Sequence, residues 1–130
     1  GSKAPKEVEA LGQVSGVVFH GFVEEIEPVM SDYRIAVAPL RFGAGVKGKV
    51  NMSMSYGQPV VGTAVAVEGM YTVHGEDVMM SDDAQKFAEH VIELYQDEAL
   101  WNQISEGGLA NVEQWFSFNA AKAQIQNILS

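Results

Sequence analysis

The sequence contains no cysteine and no long apolar run. The absence of cysteine excludes disulfides, thiolate metal sites and cysteine nucleophiles, and it is consistent with a reducing compartment. No apolar stretch approaches the ~18 residues that a membrane span requires, and the polar start predicts no signal peptide. The chain has 130 residues, 47% of them hydrophobic, which is too apolar for a disordered segment. We therefore expect one globular domain over residues 1–130 and a cytoplasmic location.

Basic residues are scarce and unevenly placed. Eight lysines and arginines stand against 17 acidic residues, for a formal net charge of -9, which argues against nucleic acid as a partner. Yet residues 33–67 contain no acidic residue and four of the eight basic ones, Arg34, Arg41, Lys47 and Lys49. A locally positive segment in an acidic protein is suited to binding a small anion. The alternative is a chance fluctuation in a segment whose buried strand and helix exclude charge anyway.

Hydrophobic periodicity predicts short strands that alternate with helices. Four apolar runs are typical of buried strands: residues 17–20, 35–38, 59–63 and 78–80. Helical spacing predicts helices over about residues 5–11, 26–33, 46–56, 84–95, 97–106 and 118–129. We expect Asp82, Asp97 and Ser117 to begin helices, and Gly57 and the Gly107-Gly108 pair to end them. Continuous apolar strands between helices predict an α/β fold of three layers, a parallel sheet with helices on both faces.

A glycine-rich loop, Gly43-Ala44-Gly45-Val46-Lys47-Gly48-Lys49, lies between the second predicted strand and the helix that follows it. Ligands of open parallel sheets bind beyond the carboxyl ends of the strands. Glycines there let the backbone approach a ligand, and the N–H groups at a helix start attract anions. Because Lys47 and Lys49 add positive charge, this loop is the candidate anion site. The alternative is a flexible loop that only makes turns.

Two general phosphate-binding motifs match this loop in part. Gly43, Gly45 and Gly48 have the spacing of the dinucleotide fingerprint, with Glu68 at about the expected distance. However, residues 40–42 separate the loop from the strand, whereas that fingerprint starts at the strand end. The same residues also resemble a P-loop, but Val50 stands where that motif has a magnesium-binding Ser or Thr. Both matches are weak.

A third pattern extends over many more residues. From Ile35 the chain continues IAVAPLRFGAGVKGKVNMSMSYGQPVVGT, and Glu68-Gly69 follow. This segment resembles the C-terminal, donor-binding domain of the group 1, or family-four, glycosyltransferases of GT-B fold. The signature of that family is a strand ending in proline, a Leu-Arg-x-Gly-x-Gly-x-Lys loop, a helix, then Gly-x-Pro-Val-Val. Residues 18–23 and the tail around Trp101 and Trp115 agree with it, so the resemblance covers essentially the whole chain.

The resemblance implies a Rossmann-like half of an enzyme that moves a sugar from a nucleotide diphosphate donor to an acceptor. Such enzymes usually retain the configuration of the sugar, need no metal or other cofactor, and assemble polysaccharides or glycoconjugates, in some cases at a membrane. The resemblance places nine residues at the donor: Arg41, Gly43, Gly45, Val46, Lys47, Met52, Thr63, Glu68 and Gly69. It places three more at the base: Gly21, Phe22 and Val23.

Two departures from the family pattern affect these expectations. Many members carry a glutamate that grips the donor ribose where this chain has Met52, which cannot accept a comparable hydrogen bond. A missing hydrogen bond to a charged group costs about 1.5–3 kcal/mol, unless Asn51 or Ser53 substitutes. The family domain also begins with further basic elements, and an acceptor-binding domain precedes it. We therefore interpret the chain as N-terminally truncated and expect no sugar transfer from it alone.

The remaining chemistry-bearing residues define no second site. His20, His74 and His90 are scattered without metal-ligand spacing, and we expect no metal. Ser53 and Ser55 have no recognisable partners for nucleophilic catalysis, and we assign no catalytic residue. An alternative function is a non-catalytic α/β module that binds other proteins or itself. Truncation would favour it, because an exposed sheet edge invites two copies to pair.

Overall fold

The chain divides into two compact units, Gly1–Asp32 and Tyr33–Ser130. The structure, a computed structural model, describes residues 3–130. The division does not test whether residues 1–130 form one folding domain, so that expectation stays a prediction.

The first unit is helical where it is regular. It contains helices α1 (Lys6–Ala10) and α2 (Ile26–Asp32), with a short 3-10 turn (Leu11–Gln13) after α1. The strand predicted at residues 17–20 was wrong, because this segment is irregular and Val18 is 67% exposed. A strand requires a neighbour to complete its backbone hydrogen bonds, and the described part of this unit offers only helices.

The second unit is built on a parallel sheet of three short strands in the order β1 (Ala36–Ala38), β2 (Val60–Gly62), β3 (Met79–Met80). Ala36 is opposite Val60, and Val61 is opposite Met79. The four helices of this unit are α3 (Gly48–Ser55), α4 (Ala84–Gln96), α5 (Glu98–Phe116) and α6 (Phe118–Leu129). Three of the four predicted strands and all the predicted helices are therefore present, and their boundaries are close to those expected except at the end of α5.

The sheet has a separate apolar core on each face. Successive residues of a strand point to opposite faces, so Val60 packs with Val50 and Met54 of α3, whereas Val61 packs with Leu94 of α4. All five side chains are almost completely buried. The later part of α5 packs on the α3 side and its earlier part on the α4 side. This confirms the predicted three-layer α/β architecture.

Helix α5 does not end at Gly107-Gly108, as the sequence suggested, but continues to Phe116. A methyl group on Gly107 would overlap the Glu76 carbonyl oxygen, and one on Gly108 would stand 3.3 Å from Met54 Cγ. These glycines therefore let the helix approach the backbone of residues 76–77 and α3, and their small size serves packing instead of helix termination.

Of the other four predicted helix ends, three are correct and one is wrong by one residue. Asp97 and Ser117 cap α5 and α6 with their side chains, and Gly57 follows α3 with a φ of 72°. Helix α4 is capped by Asp83, whose carboxylate accepts the Lys86 N–H at 2.9 Å, and not by Asp82. The Asp82 side chain has a different partner, described below.

Candidate functional site

The glycine-rich loop connects the carboxyl end of β1 to the start of α3. Gly43 and Gly45 have φ angles of 142° and 72°, which residues with a Cβ rarely adopt. Arg41 and Val46 lie in the same exposed loop. The sequence therefore placed the loop correctly at the carboxyl edge of the sheet.

The Lys47 side chain folds back over this loop. Its Nζ donates a hydrogen bond to the Gly45 carbonyl oxygen at 2.5 Å and lies 3.9 Å from a carboxylate oxygen of Glu68. A methyl group at Gly43 would stand 3.0 Å from Lys47 Cε, so glycine at this position leaves room for the lysine. The Lys47 side chain is 16% exposed, because it lies against the loop backbone.

Lys47 precedes the first residue of α3, Gly48, and its side chain makes no capping hydrogen bond to the helix. Helices α4, α5 and α6 each have a side-chain oxygen that accepts an N–H of the first turn. The first N–H groups of a helix have no partner within the helix, and together they carry a partial positive charge. The start of α3 therefore offers N–H groups between two lysines, Lys47 and Lys49, and is suited to an anion.

The Thr63 hydroxyl links the carboxyl ends of β1 and β2 beside this loop. Thr63, directly after β2, donates from Oγ1 to the Leu40 carbonyl oxygen at 2.7 Å and from its backbone N–H to the Ala38 carbonyl oxygen at 3.3 Å. The same Oγ1 accepts the Ala66 N–H at 3.3 Å. Thr63 thus holds the strand ends in position, while its predicted contact with a donor sugar stays a prediction.

The turn at Glu68-Gly69 lies against the glycine-rich loop. Gly69 has a φ of 76°, and a methyl group there would stand 3.3 Å from Val46 Cγ2. Together with the ion pair between Glu68 and Lys47, this brings two loops from neighbouring strands to one place. The structure thereby groups seven predicted donor residues at the carboxyl edge of the sheet: Gly43, Gly45, Val46, Lys47, Thr63, Glu68 and Gly69. Their binding roles stay predictions.

The position expected to hydrogen-bond to the donor ribose lies in the first two turns of α3. Met52 is 39% exposed there, and its thioether is only a weak acceptor. Ser53 is buried and donates its hydroxyl proton to the Lys49 carbonyl oxygen at 3.0 Å. The Asn51 side-chain carbonyl oxygen is buried and has no hydrogen-bond partner among residues 3–130. Neither substitute therefore presents an exposed, unpartnered acceptor to a ribose in this conformation.

The three residues expected at a base lie in the first unit, in irregular backbone between α1 and α2. Gly21 has a φ of 66°, Phe22 is 73% exposed, and Val23 is partly buried. Their contact with a base stays a prediction.

Two polar residues that the sequence analysis missed fix the loops of this site. Asp82 accepts the Ala64 N–H at 2.9 Å, and Asn111 of α5 donates to the Met70 carbonyl oxygen at 2.8 Å. Only Asn111 gives a sequence signal, because it is a polar residue on the buried face of α5, which it shares with Ile104 and Ser105. The Asp82-Asp83 pair predicted a helix start, and nothing local shows that one carboxylate turns to another loop.

Asp77 completes the network around Asn111. Its carboxylate accepts the Val73 N–H at 2.8 Å and lies 3.4 Å from Asn111 Nδ2. Burial raises the pKa of the Asp77 carboxyl above its ordinary value, and the nearby Glu76 charge adds to the increase. The hydrogen bonds from Val73 and Asn111 oppose this shift without cancelling it.

An open groove of about 560 Å³ runs along β1 and the start of α3. The strand residues Ala36–Ala38 form one wall, and Val46, Lys47 and Lys49 lie on the other. A groove of this volume is within the range that holds a small organic ligand. It places the basic loop beside an apolar strand, β1, whose one paired neighbour within residues 3–130 is β2.

The described residues, 3–130, contain neither a metal-binding cluster nor a membrane-spanning helix. No three His, Asp or Glu side chains in this part of the chain are arranged to hold a metal ion. No helix in the same range has the length and apolar character needed to cross a bilayer.

Comparison with known proteins identifies the family. Residues 1–97 match the family described as Glycosyl transferases group 1, so the chain belongs to that family. It is 29% identical over 91 residues to the uncharacterized 44.6 kDa protein in cps region of Klebsiella pneumoniae. That match covers 70% of this chain and 24% of the relative, so the chain spans about a quarter of the relative's length.

Solved structures of glycosyltransferases share the fold. The C-terminal domain of the group 1 protein LpcC from Francisella tularensis is 19% identical, with a TM-score of 0.72, 87% of this chain covered and 60% of that one. HepE from Anabaena, in complex with UDP and glucose, is 20% identical, with a TM-score of 0.77. The match covers 95% of this chain and 34% of the HepE chain. Sucrose-phosphate synthase from Thermosynechococcus elongatus is 20% identical, with a TM-score of 0.78. The match covers 95% of this chain and 33% of the synthase chain. These matches confirm the resemblance to the C-terminal half of GT-B glycosyltransferases.

Proposed function

We propose that this chain is the part of a glycosyltransferase that binds the nucleotide diphosphate sugar donor. The observation that carries the proposal is the start of α3, where uncapped N–H groups lie between Lys47 and Lys49 above a glycine loop. The pyrophosphate binds there, and the Lys47 ammonium stabilises the charge that develops on the leaving diphosphate. Membership in the group 1 family supports this assignment.

The finer chemistry belongs to the same proposal. The transfer retains the configuration at the sugar, moves a hexose and uses no metal, because the lysines and helix N–H groups supply the positive charge. The acceptor is bound by another domain of the longer protein, in the cytoplasm or at a membrane, and the product enters a polysaccharide or glycoconjugate. This chain alone transfers no sugar. The HepE structure contains UDP and glucose, which makes UDP the first nucleotide to test.

The experiment is an amide NMR titration of the 130-residue chain with UDP, GDP and ADP at low salt. We expect a dissociation constant on the order of 1 mM for the preferred nucleotide, because the ribose carboxylate is missing. The shifts should concentrate at residues 43–49 and at Glu68 and Gly69. Lys47→Gln should weaken binding by roughly 10-fold or more.

The matched control is Lys122→Gln, which removes the same charge from an exposed position on α6. It should leave the dissociation constant within about twofold, because screening limits the effect of a distant charge. The proposal is wrong if no amide moves at millimolar nucleotide, or if the two lysine variants weaken binding equally.

A second candidate function is self-association through β1. This strand pairs with β2 on one side only among the described residues, and Val37 is 54% exposed. Exposed strand edges pair readily with another chain. Sedimentation equilibrium decides between the two: a monomer at high concentration excludes the dimer, and Val37→Lys should dissociate a dimer if one forms.

A further inference from the structure

A second pocket lies at the opposite end of the sheet from the glycine loop. Its volume is about 560 Å³, and Arg34, Tyr95 and Trp101 form its walls. Arg34 comes just before β1, whereas the glycine loop follows β1, so the two cavities are at opposite ends of the same strand. Tyr95 is in the last turn of α4 and Trp101 in the first turn of α5. The proposed donor site therefore does not include this pocket.

The walls of the pocket are held by contacts among the same three residues. The Arg34 guanidinium lies over the Tyr95 ring at 4.9 Å from its centroid and approaches the Tyr95 carbonyl oxygen at 3.4 Å. Trp101 donates its indole N–H to the Arg34 carbonyl oxygen at 3.0 Å. Buried Leu94 lines the pocket as well. A wall that is already ordered reduces the entropy lost when a ligand binds.

The remaining lining residues supply polar groups of balanced charge. Gln96 and Asn102 each carry an amide donor and an acceptor, Glu98 carries acceptors, and Arg34 carries donors. The charges of Arg34 and Glu98 cancel, so the pocket favours neither an anion nor a cation. A ligand that matches it is neutral, rich in hydroxyl groups and bears apolar C–H surface for the aromatic rings. These are the properties of a carbohydrate.

We propose that this pocket is a saccharide-binding site, separate from the proposed donor site, that takes a neutral mono- or disaccharide. The volume is suited to a ligand of this size. The aromatic walls contact the sugar ring, while the amides of Gln96 and Asn102 and the charged groups of Arg34 and Glu98 hydrogen-bond to hydroxyls. Binding here is independent of nucleotide, because the glycine loop lies at the other end of β1.

The test uses the two tryptophan indole N–H signals in NMR spectra of the 130-residue chain. Trp115 lies outside the pocket and stacks on Tyr71, with 4.4 Å between the ring centroids. The Trp115→Phe variant assigns the two signals. The probes are maltose, lactose and mannobiose, each titrated to about 50 mM without nucleotide, since an open pocket predicts a dissociation constant in the millimolar range. The Trp101 signal should move and saturate with at least one of them, and the Trp115 signal should not.

Two tyrosine variants form a matched pair. Tyr95 is 63% exposed and Tyr71 is 66% exposed, so truncation of either should leave the fold intact, which amide spectra verify. Tyr95→Ala should weaken sugar binding by roughly 10-fold, because it removes an aromatic wall, and Tyr71→Ala should leave it unchanged. The proposal is overturned if no disaccharide gives a saturable shift of Trp101, or if both variants weaken binding equally. UDP in place of sugar should leave Trp101 unmoved, and a saturable shift with UDP alone would also overturn it.

Discussion

The Lys47 side chain lies across the α-carbon of Gly43, and a methyl group added at residue 43 would stand 3.0 Å from Lys47 Cε. The lysine that carries the proposed anion contact is thus positioned by a residue that has no side chain. Charge and shape in this loop are coupled: the glycine makes the room, and the ammonium occupies it.

This coupling predicts different effects for alanine at the two glycines. Gly43→Ala should displace Lys47 and weaken UDP binding by roughly 10-fold, since a charged hydrogen bond is lost. Gly45→Ala also strains a positive φ, but a methyl group there meets nothing within 4 Å. It should lower stability by about 1–2 kcal/mol with a smaller change in affinity. Isothermal titration with UDP and urea unfolding measure the two effects, and equal losses of affinity would contradict this account.

Glu68→Gln should separate the nucleotide contact from the sugar contact. The Glu68 carboxylate is 3.9 Å from Lys47 Nζ and 57% exposed, so its loss should change stability by less than about 1 kcal/mol. Removal of a negative charge beside Lys47 should tighten UDP binding slightly. If Glu68 also holds the sugar, the same variant should bind a UDP-sugar more weakly than the wild type. Competition between UDP and UDP-glucose followed by NMR measures both, and equal changes would argue against the sugar contact.

The two neighbouring aspartates should respond differently to alanine. Asp83→Ala removes the cap of α4 and should cost about 1 kcal/mol of stability, with the amide signals of residues 63–67 unchanged. Asp82→Ala should shift those signals, because its carboxylate accepts the Ala64 N–H. Urea unfolding and amide spectra of the two variants check this. The same spectral change in both would mean that the carboxylates share one role.

Among alanine substitutions at glycines in the helices of the second unit, Gly107→Ala should lower the free energy of unfolding most. The added carbon would overlap the Glu76 carbonyl oxygen, so the backbone there would have to move. We expect a loss of about 3 kcal/mol or more in urea unfolding. Gly48→Ala is the control, because it is also helical but meets nothing within 4 Å. It should be neutral or stabilising by up to about 1 kcal/mol, and similar losses in both would refute the packing explanation.

The contribution of Asp77 to the free energy of unfolding should fall as the pH rises from acidic values. Its pKa is raised by burial, so the folded chain holds this proton more tightly than the unfolded chain. The contribution of Asp77 to the free energy of unfolding therefore falls between the unfolded and the folded pKa and is constant above both. Asp77→Asn removes this contribution while keeping an acceptor for Val73. Relative to the variant, the wild type should lose stability as pH increases through this window in urea unfolding; a relative gain would contradict the sign.

The sequence predicted the β1–α3–β2 segment closely because its signals are local. Pro39 after the strand, the glycines of the loop and Gly57 after the helix each specify backbone geometry at their own positions. The resemblance to the family added residues 68–69; they lie against the loop, and their predicted contact with a donor stays a prediction. The strand predicted at residues 17–20 failed because strand formation depends on a partner that the sequence does not display.

Contacts between distant residues account for what the sequence did not reveal. Gly107 appeared to end a helix, since its approach to Glu76 cannot be recognised without the fold. The contact between Asp82 and Ala64, and that between Asn111 and Met70, likewise join residues far apart in the chain. The pocket walled by Arg34 and Tyr95 depends on the same kind of contact, so no motif predicts it.

The uncapped start of α3 has a consequence for how heat affects this protein. An anion bound to those N–H groups would occupy the place that Asp83, Asp97 and Ser117 fill at the other helices, and it would stabilise the helix that is already formed. Binding to the folded state alone adds about 2.7 kcal/mol of stability at a ligand concentration 100 times Kd. The melting temperature should therefore rise steadily with nucleotide concentration. If the chain binds donor as proposed, a higher nucleotide concentration should also lengthen the time for which it stays folded.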